Sequence, residues 1–164
     1  MLTELHKRAS DLGFALALVF ILQTSNARVD DYQKRFAGES NPVRKAKIMQ
    51  KLGDSEFDLL RQQVDAGDLD PALRTLTDYR DECISTHQSL KATGVDAEQK
   101  PSGFKELEFS VSENLGRLRE ILAGMPKDEQ KRFNEIRSNL VELDRQLILE
   151  LFPRQSKSGP KKSL

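Results

Sequence analysis

The sequence predicts an all-α protein: a four-helix up-down-up-down bundle behind a cleavable signal peptide, with a short extra helix before the bundle. Three observations carry this. Charged residues make up 32% of the 164-residue chain and aromatic residues 6%, with no Trp. That mix suits slender helices with charged outer faces; sheets draw on aromatic and β-branched residues. Apolar residues recur at steps of three and four along four long stretches, and strand-like alternation is absent from the sequence. Each stretch opens near a Pro and closes at a Gly or Pro, the punctuation of helix ends.

The first element is His6 to Ala27. A basic start (His6, Lys7, Arg8) precedes an uncharged run of eleven residues, Leu12 to Leu22, and small residues follow at Ser25 and Ala27. Basic start, apolar centre and small-residue exit are the parts of a secretory signal. Eleven apolar residues fall well short of the roughly 20 needed to span a bilayer. A soluble helix apolar on every face needs protein on all sides. Residues 1–27 are therefore expected to be a signal that is removed, leaving a chain that starts at Arg28 and has no stable membrane insertion. A retained signal anchor and a buried soluble helix are the alternatives, and Asp11 departs mildly from the signal pattern.

Residues 28–40 follow, with Val29, Tyr32 and Phe36 at helical spacing. A short amphipathic helix is expected there, lying over the end of the fourth bundle helix. The bundle itself spans 41–153. Asn41-Pro42 opens its first helix, with Asn as N-cap and Pro at the first helical position. Ala46, Met49, Gly53, Phe57, Leu60 and Val64 share one face, and Gly67 is the expected left-handed C-cap. Asp70-Pro71 starts the second helix so soon afterwards that the two must run antiparallel. Its stripe is Leu69, Leu73, Leu76, Cys83, His87 and Leu90, with Tyr79 or Arg80 completing the spacing, and Gly94 ends it. After a loop over 94–103, the third helix carries Phe104, Leu107, Val111, Leu115, Leu118 and Leu122 and closes at Gly124. Pro126 opens the fourth, with Asp128 and Glu129 where the helix dipole favours acids. Phe133, Ile136, Leu140, Leu143, Leu147 and Leu151 form its stripe before Pro153. Acid-first pairs at i,i+4 (Asp70/Arg74, Glu113/Arg117, Asp128/Arg132) fit exposed helix faces. Residues 154–164 form a basic tail, expected to be disordered.

Twenty-six basic residues balance twenty-six acidic ones, which argues against a nucleic-acid partner. Chemistry is sparse. Cys83 and His87 sit four apart on one helical face, the spacing of a thiol beside a base, and are the one candidate reactive pair. Zinc needs further Cys or His ligands, which the chain after Ala27 lacks. Haem attachment through CxxCH, a Gly-rich phosphate loop and the Glu-x-x-His pairs of a di-iron bundle are likewise absent from the sequence. No catalytic residue, metal or cofactor is expected, and the chain is read as non-enzymatic.

Two features point instead to protein contact. The last turns of the fourth helix, "RQLILELF", are apolar nearly all round, so Ile148, Leu149 and Phe152 fall off the buried stripe. Unless Tyr32 and Phe36 of the preceding helix cover them, they form a partner or dimer site. Gly116 lies outward on the third helix beside Phe109 and Ser112, a candidate small-residue groove for a partner helix. Gly53, on a buried stripe at a cost of about 1 kcal/mol relative to Ala, implies close approach of another helix.

The stretches "NPVRKAKIMQKLGDSEFDLLRQQVDAGDLDPALRTLTDYRDE" and "GFKELEFSVSENLGRLREIL" resemble a family of uncharacterised exported helical proteins of bacteria. That resemblance implies an envelope or extracellular location and no assigned activity. "AGDLDPALRTLTDY" is similar to the turn and second helix of a tetratricopeptide repeat, with Gly67, Ala72 and Leu73 in the expected places. "MPKDEQKRFNEIR" resembles a segment of periplasmic helical chaperones and stress sensors. The expected function is a protein-interaction module of the bacterial envelope, binding another protein or a second copy of itself. A periplasmic chaperone or stress sensor, and a Cys83/His87 redox or metal site, are the alternatives.

Overall fold

A computed structural model of the chain describes residues 27–153. The expected signal up to Asn26 and the basic tail from Arg154 lie outside the described residues. Among those residues there are five helices and no strand: α1 (27–38), α2 (Pro42–Asp65), α3 (Leu69–Ala92), α4 (Phe104–Ala123) and α5 (Lys127–Leu151). None is long and apolar enough to cross a membrane.

The caps explain the boundaries. Asn41 Oδ1 accepts the Arg44 N–H at 3.0 Å, satisfying one of the orphan donors at the start of α2. At the other end Gly67 adopts φ +80°. Its N–H reaches Val64 O at 3.0 Å and the Asp68 N–H reaches Gln63 O at 2.8 Å, the paired bonds of a Schellman turn. The chain then enters α3 at Leu69, slightly before the expected Asp70-Pro71, so Pro71 falls within the first turn, where its missing N–H costs nothing. Gly94 ends α3 at φ +69°. In front of α4 the Glu106 carboxylate takes the Gly103 N–H.

The stripes bury largely as their spacing implies, although Val64, Leu69, Leu73 and Leu115 are only partly buried. Ala72 is fully buried where Leu69 and Leu73 are only partly so, and Tyr79, not Arg80, fills the gap in the stripe. A small residue at position 72 lets α3 settle closely after the three-residue turn.

Direction alternates from α2 to α5, but neighbours do not follow chain order. The α2/α3 and α4/α5 hairpins stack side by side: α2 lies beside α4, α3 lies beside α5, and α2 and α5 stand at opposite corners. The stacked helices run parallel. Arg117 reaches back to Asp58 at 2.6 Å while Arg61 meets Glu120 at 3.4 Å along α2/α4. Asp70–Arg132 at 2.8 Å and His87–Glu150 at 2.8 Å mark the two ends of α3/α5. Stacked helix pairs of this kind are the unit from which α-solenoids are built by repetition. Arg117 and Arg132, expected to pair within their own helices, bridge between helices instead.

This neighbour order corrects the expected position of α1. In a ring the end of the last helix would lie beside the start of α2, within reach of α1. With α2 and α5 on a diagonal, α1 instead packs on the outer side of the α2/α3 hairpin. Val29 and Phe36 are buried, Gln33 Nε2 donates to Glu56 Oε1 at 3.5 Å, and Lys45 Nζ stands 4.4 Å above the Phe36 ring. The end of α5 is left uncovered by α1.

Between the hairpins sits a polar node built around Gly53. An added Cβ there would come within 2.8 Å of both Asn114 Nδ2 and Tyr79 Cε2. The Tyr79 hydroxyl donates to Ser110 O at 3.0 Å and accepts from Asn114 Nδ2 at 3.1 Å, and Phe57 meets the Tyr79 ring edge-on at 5.1 Å. Gly53 is thus where α2 admits α3 and α4, as its place on the stripe implies.

Candidate functional site

The outward side of the second hairpin is the surface on which the sequence candidates converge. Among the described residues the exposed large apolar side chains are Val95, Phe109, Val141, Ile148, Leu149 and Phe152. Five of them lie on α4, on α5 or just past the end of α5, and Val95 lies in the connection shortly after α3; α2 and α3 themselves carry none. Phe109 and Phe152 are each about half exposed, at 52% and 51%. Phe109, Ser112 and Gly116 recur at steps of three and four and share the outward face of α4. Ser112 is exposed, and nothing lies within 4 Å of where a Gly116 Cβ would stand. On α5, Val141 and Ile148 are two turns apart on one outward line, which Phe152 continues just past the helix end.

Of the other two candidates, Phe36 is buried on the inner face of α1 and Tyr32 is half-buried, with the Arg35 guanidinium 5.4 Å above its ring. They fasten α1 to the first hairpin and belong to a different part of the molecule from Ile148, Leu149 and Phe152.

A furrow of about 870 Å³ runs between α3 and α5, lined by Arg80, Ile84 and His87 on one wall and Asn139, Glu142 and Gln146 on the other. Arg80 spans it to Asn139 Oδ1 at 3.4 Å. The Arg145 guanidinium and the Gln146 amide beside Glu142 hold its carboxyl down at about 2. At the far end Glu150 lies between His87 Nε2 at 2.8 Å and Lys91 Nζ at 3.0 Å. Past this cluster a second depression, with Val95, Leu149 and Pro153 on its walls, joins the furrow to the end of α5.

Cys83 and His87 share the α3 stripe but take different partners. The His87 ring donates to Glu150 and packs edge-on against Phe104 at 6.4 Å. Cys83 is fully buried, and that burial pushes its thiol well above the ordinary range, against thiolate formation. No group of three or more His, Cys, Asp or Glu side chains among the described residues has metal-holding geometry.

Composition and spacing missed one constellation. Glu56 lies on the buried stripe of α2, three residues after Gly53 and four before Leu60, and is 1% exposed. Its carboxyl group meets that of Glu82 on α3. The signal was legible: a carboxylate inside an apolar stripe must find a partner or a proton.

The chain matches no family model, no curated protein and no solved structure.

Proposed function

We propose that the protein is an exported, non-enzymatic helical module that acts by binding another polypeptide, with the outward side of the α4/α5 hairpin as its contact surface. One observation carries the reading: five of the six exposed large apolar side chains among the described residues lie on α4, on α5 or just past the end of α5. A stack of helical hairpins has two ends. Here one is covered by α1, while the other presents Phe109, Val141, Ile148 and Phe152 to solvent. Terminal units of stacked repeats need polar outer faces for solubility, so an apolar terminal face calls for a partner. The compartment rests on residues 6–27 alone, with their basic start, short apolar run and small-residue exit.

Introducing charge tests the surface. Ile148→Asp combined with Phe109→Asp is expected to abolish photocrosslinking of a partner from a probe at position 141 in producing cells. Because Phe109 and Ile148 are about half exposed and lie off the buried stripes, the variant should stay folded, with a stability loss of about 1 kcal/mol per site or less. Crosslinks that persist in the double variant, or that arise only from a control probe at Arg61, would overturn the assignment. A second copy as partner would show as a crosslinked dimer. A periplasmic chaperone would instead suppress aggregation of a denatured client with equal effectiveness in wild type and variant. Mass spectrometry of native material should find the chain beginning at Arg28.

A further inference from the structure

We propose that Glu56 and Glu82 share a single proton beneath α1, and that this proton is the latch of α1: when it leaves, α1 detaches from the α2/α3 hairpin. The pair is closed in by three helices. Glu56 Oε1 receives a hydrogen bond from Gln33 of α1 at 3.5 Å. Glu56 Oε2 and Glu82 Oε2 are both buried with no protein donor. Two carboxylates cannot hydrogen-bond without a hydrogen, and a proton between these oxygens satisfies both at once.

The charges facing the pair make the proton hard to replace. Asp78 and Asp81 of α3 act on it with negative sign, and Asp30 of α1 lines the same depression. Lys45 of α2 is the opposing cation acting on Glu82, while Arg74 acts on Asp78. Cys83 and Tyr79 lie alongside as uncharged groups, their ionisation opposed by burial. Desolvation raises Glu56 well above the carboxylate range, and Glu82 is pushed up to about 7. Loss of the proton therefore places two repelling charges side by side, Glu56 fully buried and Glu82 half-buried, and Glu56 gains hydration when α1 lifts. What else holds α1 among the described residues is modest: Val29 and Phe36, the half-buried Tyr32, the Lys45–Phe36 contact, and an exposed Arg28–Asp58 pair at 3.7 Å. Once detached, so short a helix does not persist alone.

Amide exchange of the full chain, followed by mass spectrometry and corrected for intrinsic rates, tests the latch between about pH 5.5 and 8.5. Exchange over residues 29–37 is expected to rise by about tenfold per pH unit where the pair ionises, the slope of one linked proton, while α4 and α5 stay protected. Glu56→Gln replaces the shared proton with an amide donor and should flatten that slope with α1 docked. It should also remove the infrared carbonyl band of a protonated carboxyl group that wild type shows at neutral pH. If Glu56→Gln undocks α1 at every pH, Glu82→Gln carries the same test, its new amide donating to Glu56. Wild-type protection that does not change with pH overturns the proposal, as does an unchanged slope in both variants or the absence of the carbonyl band.

Discussion

Gly53 shows how much of this fold turns on one missing methyl group. Asn114 and the Tyr79 ring fill the space where its Cβ would stand, and the Tyr79 hydroxyl ties α3 to α4 through Ser110 and Asn114. Gly53→Ala is expected to destabilise by about 1–3 kcal/mol, the range for overpacking a filled core, even though Ala is the better helix former. Urea unfolding monitored by circular dichroism checks this, and a stabilised variant would contradict the packing. Cys83, on the same stripe as Tyr79, should resist alkylation in the native protein and react fully once unfolded, because burial both shields the thiol and opposes its ionisation. The close approach at Gly53 was legible because glycine on a buried helical stripe has few other uses. Which side chains approach was not: Tyr79 was one of two options for the α3 stripe, and Ser110 and Asn114 look like ordinary surface residues until their helices are placed.

At the scale of elements, boundaries were legible and neighbours were not. Asn41, Gly67, Gly94 and Pro126 state where helices begin and end through local backbone chemistry, which needs no tertiary context. An amphipathic stripe states only that a face is buried, not against which helix. That is why the pattern of Val29, Tyr32 and Phe36 marks α1 as a helix yet points it towards α5, whereas it lies on α2 and α3. Its hold can be weighed separately from the rest. Phe36→Ala should speed amide exchange over residues 29–37 at pH 5.5 while leaving α2 to α5 unchanged, because the loss cannot exceed the free energy of undocking α1 itself. Uniformly faster exchange across the molecule would show that α1 is part of the cooperative core.

For the whole molecule, the buried acids set an unusual pH dependence. Glu56 and Glu82 have carboxyl groups raised above 4.5, Glu82 to about 7, and burial also raises Asp78, Glu108 and Asp144. A raised acid contributes stability that is fully present below its unfolded value and is lost as pH climbs through its folded value. Glu39 and Glu142, held at about 2 by Arg44 and Arg145, work the other way, and their contribution is lost only as pH falls from 4.5 towards 2. The melting temperature is therefore expected to peak in mildly acidic solution and to decline from about pH 5 through 7 and beyond. Thermal scans across that range check it, and a Tm that climbs steadily to pH 8 would contradict the sign.

The connection over residues 93–103 joins the two hairpins at one end only, yet the contacts that lock them together lie mid-helix, around Gly53 and Tyr79. Cleaved between Lys100 and Pro101, each half would retain an intact pair of coils and an incomplete socket for the other. Such fragments should be poorly structured alone and reassemble one-to-one on mixing, making the protein a natural split reporter.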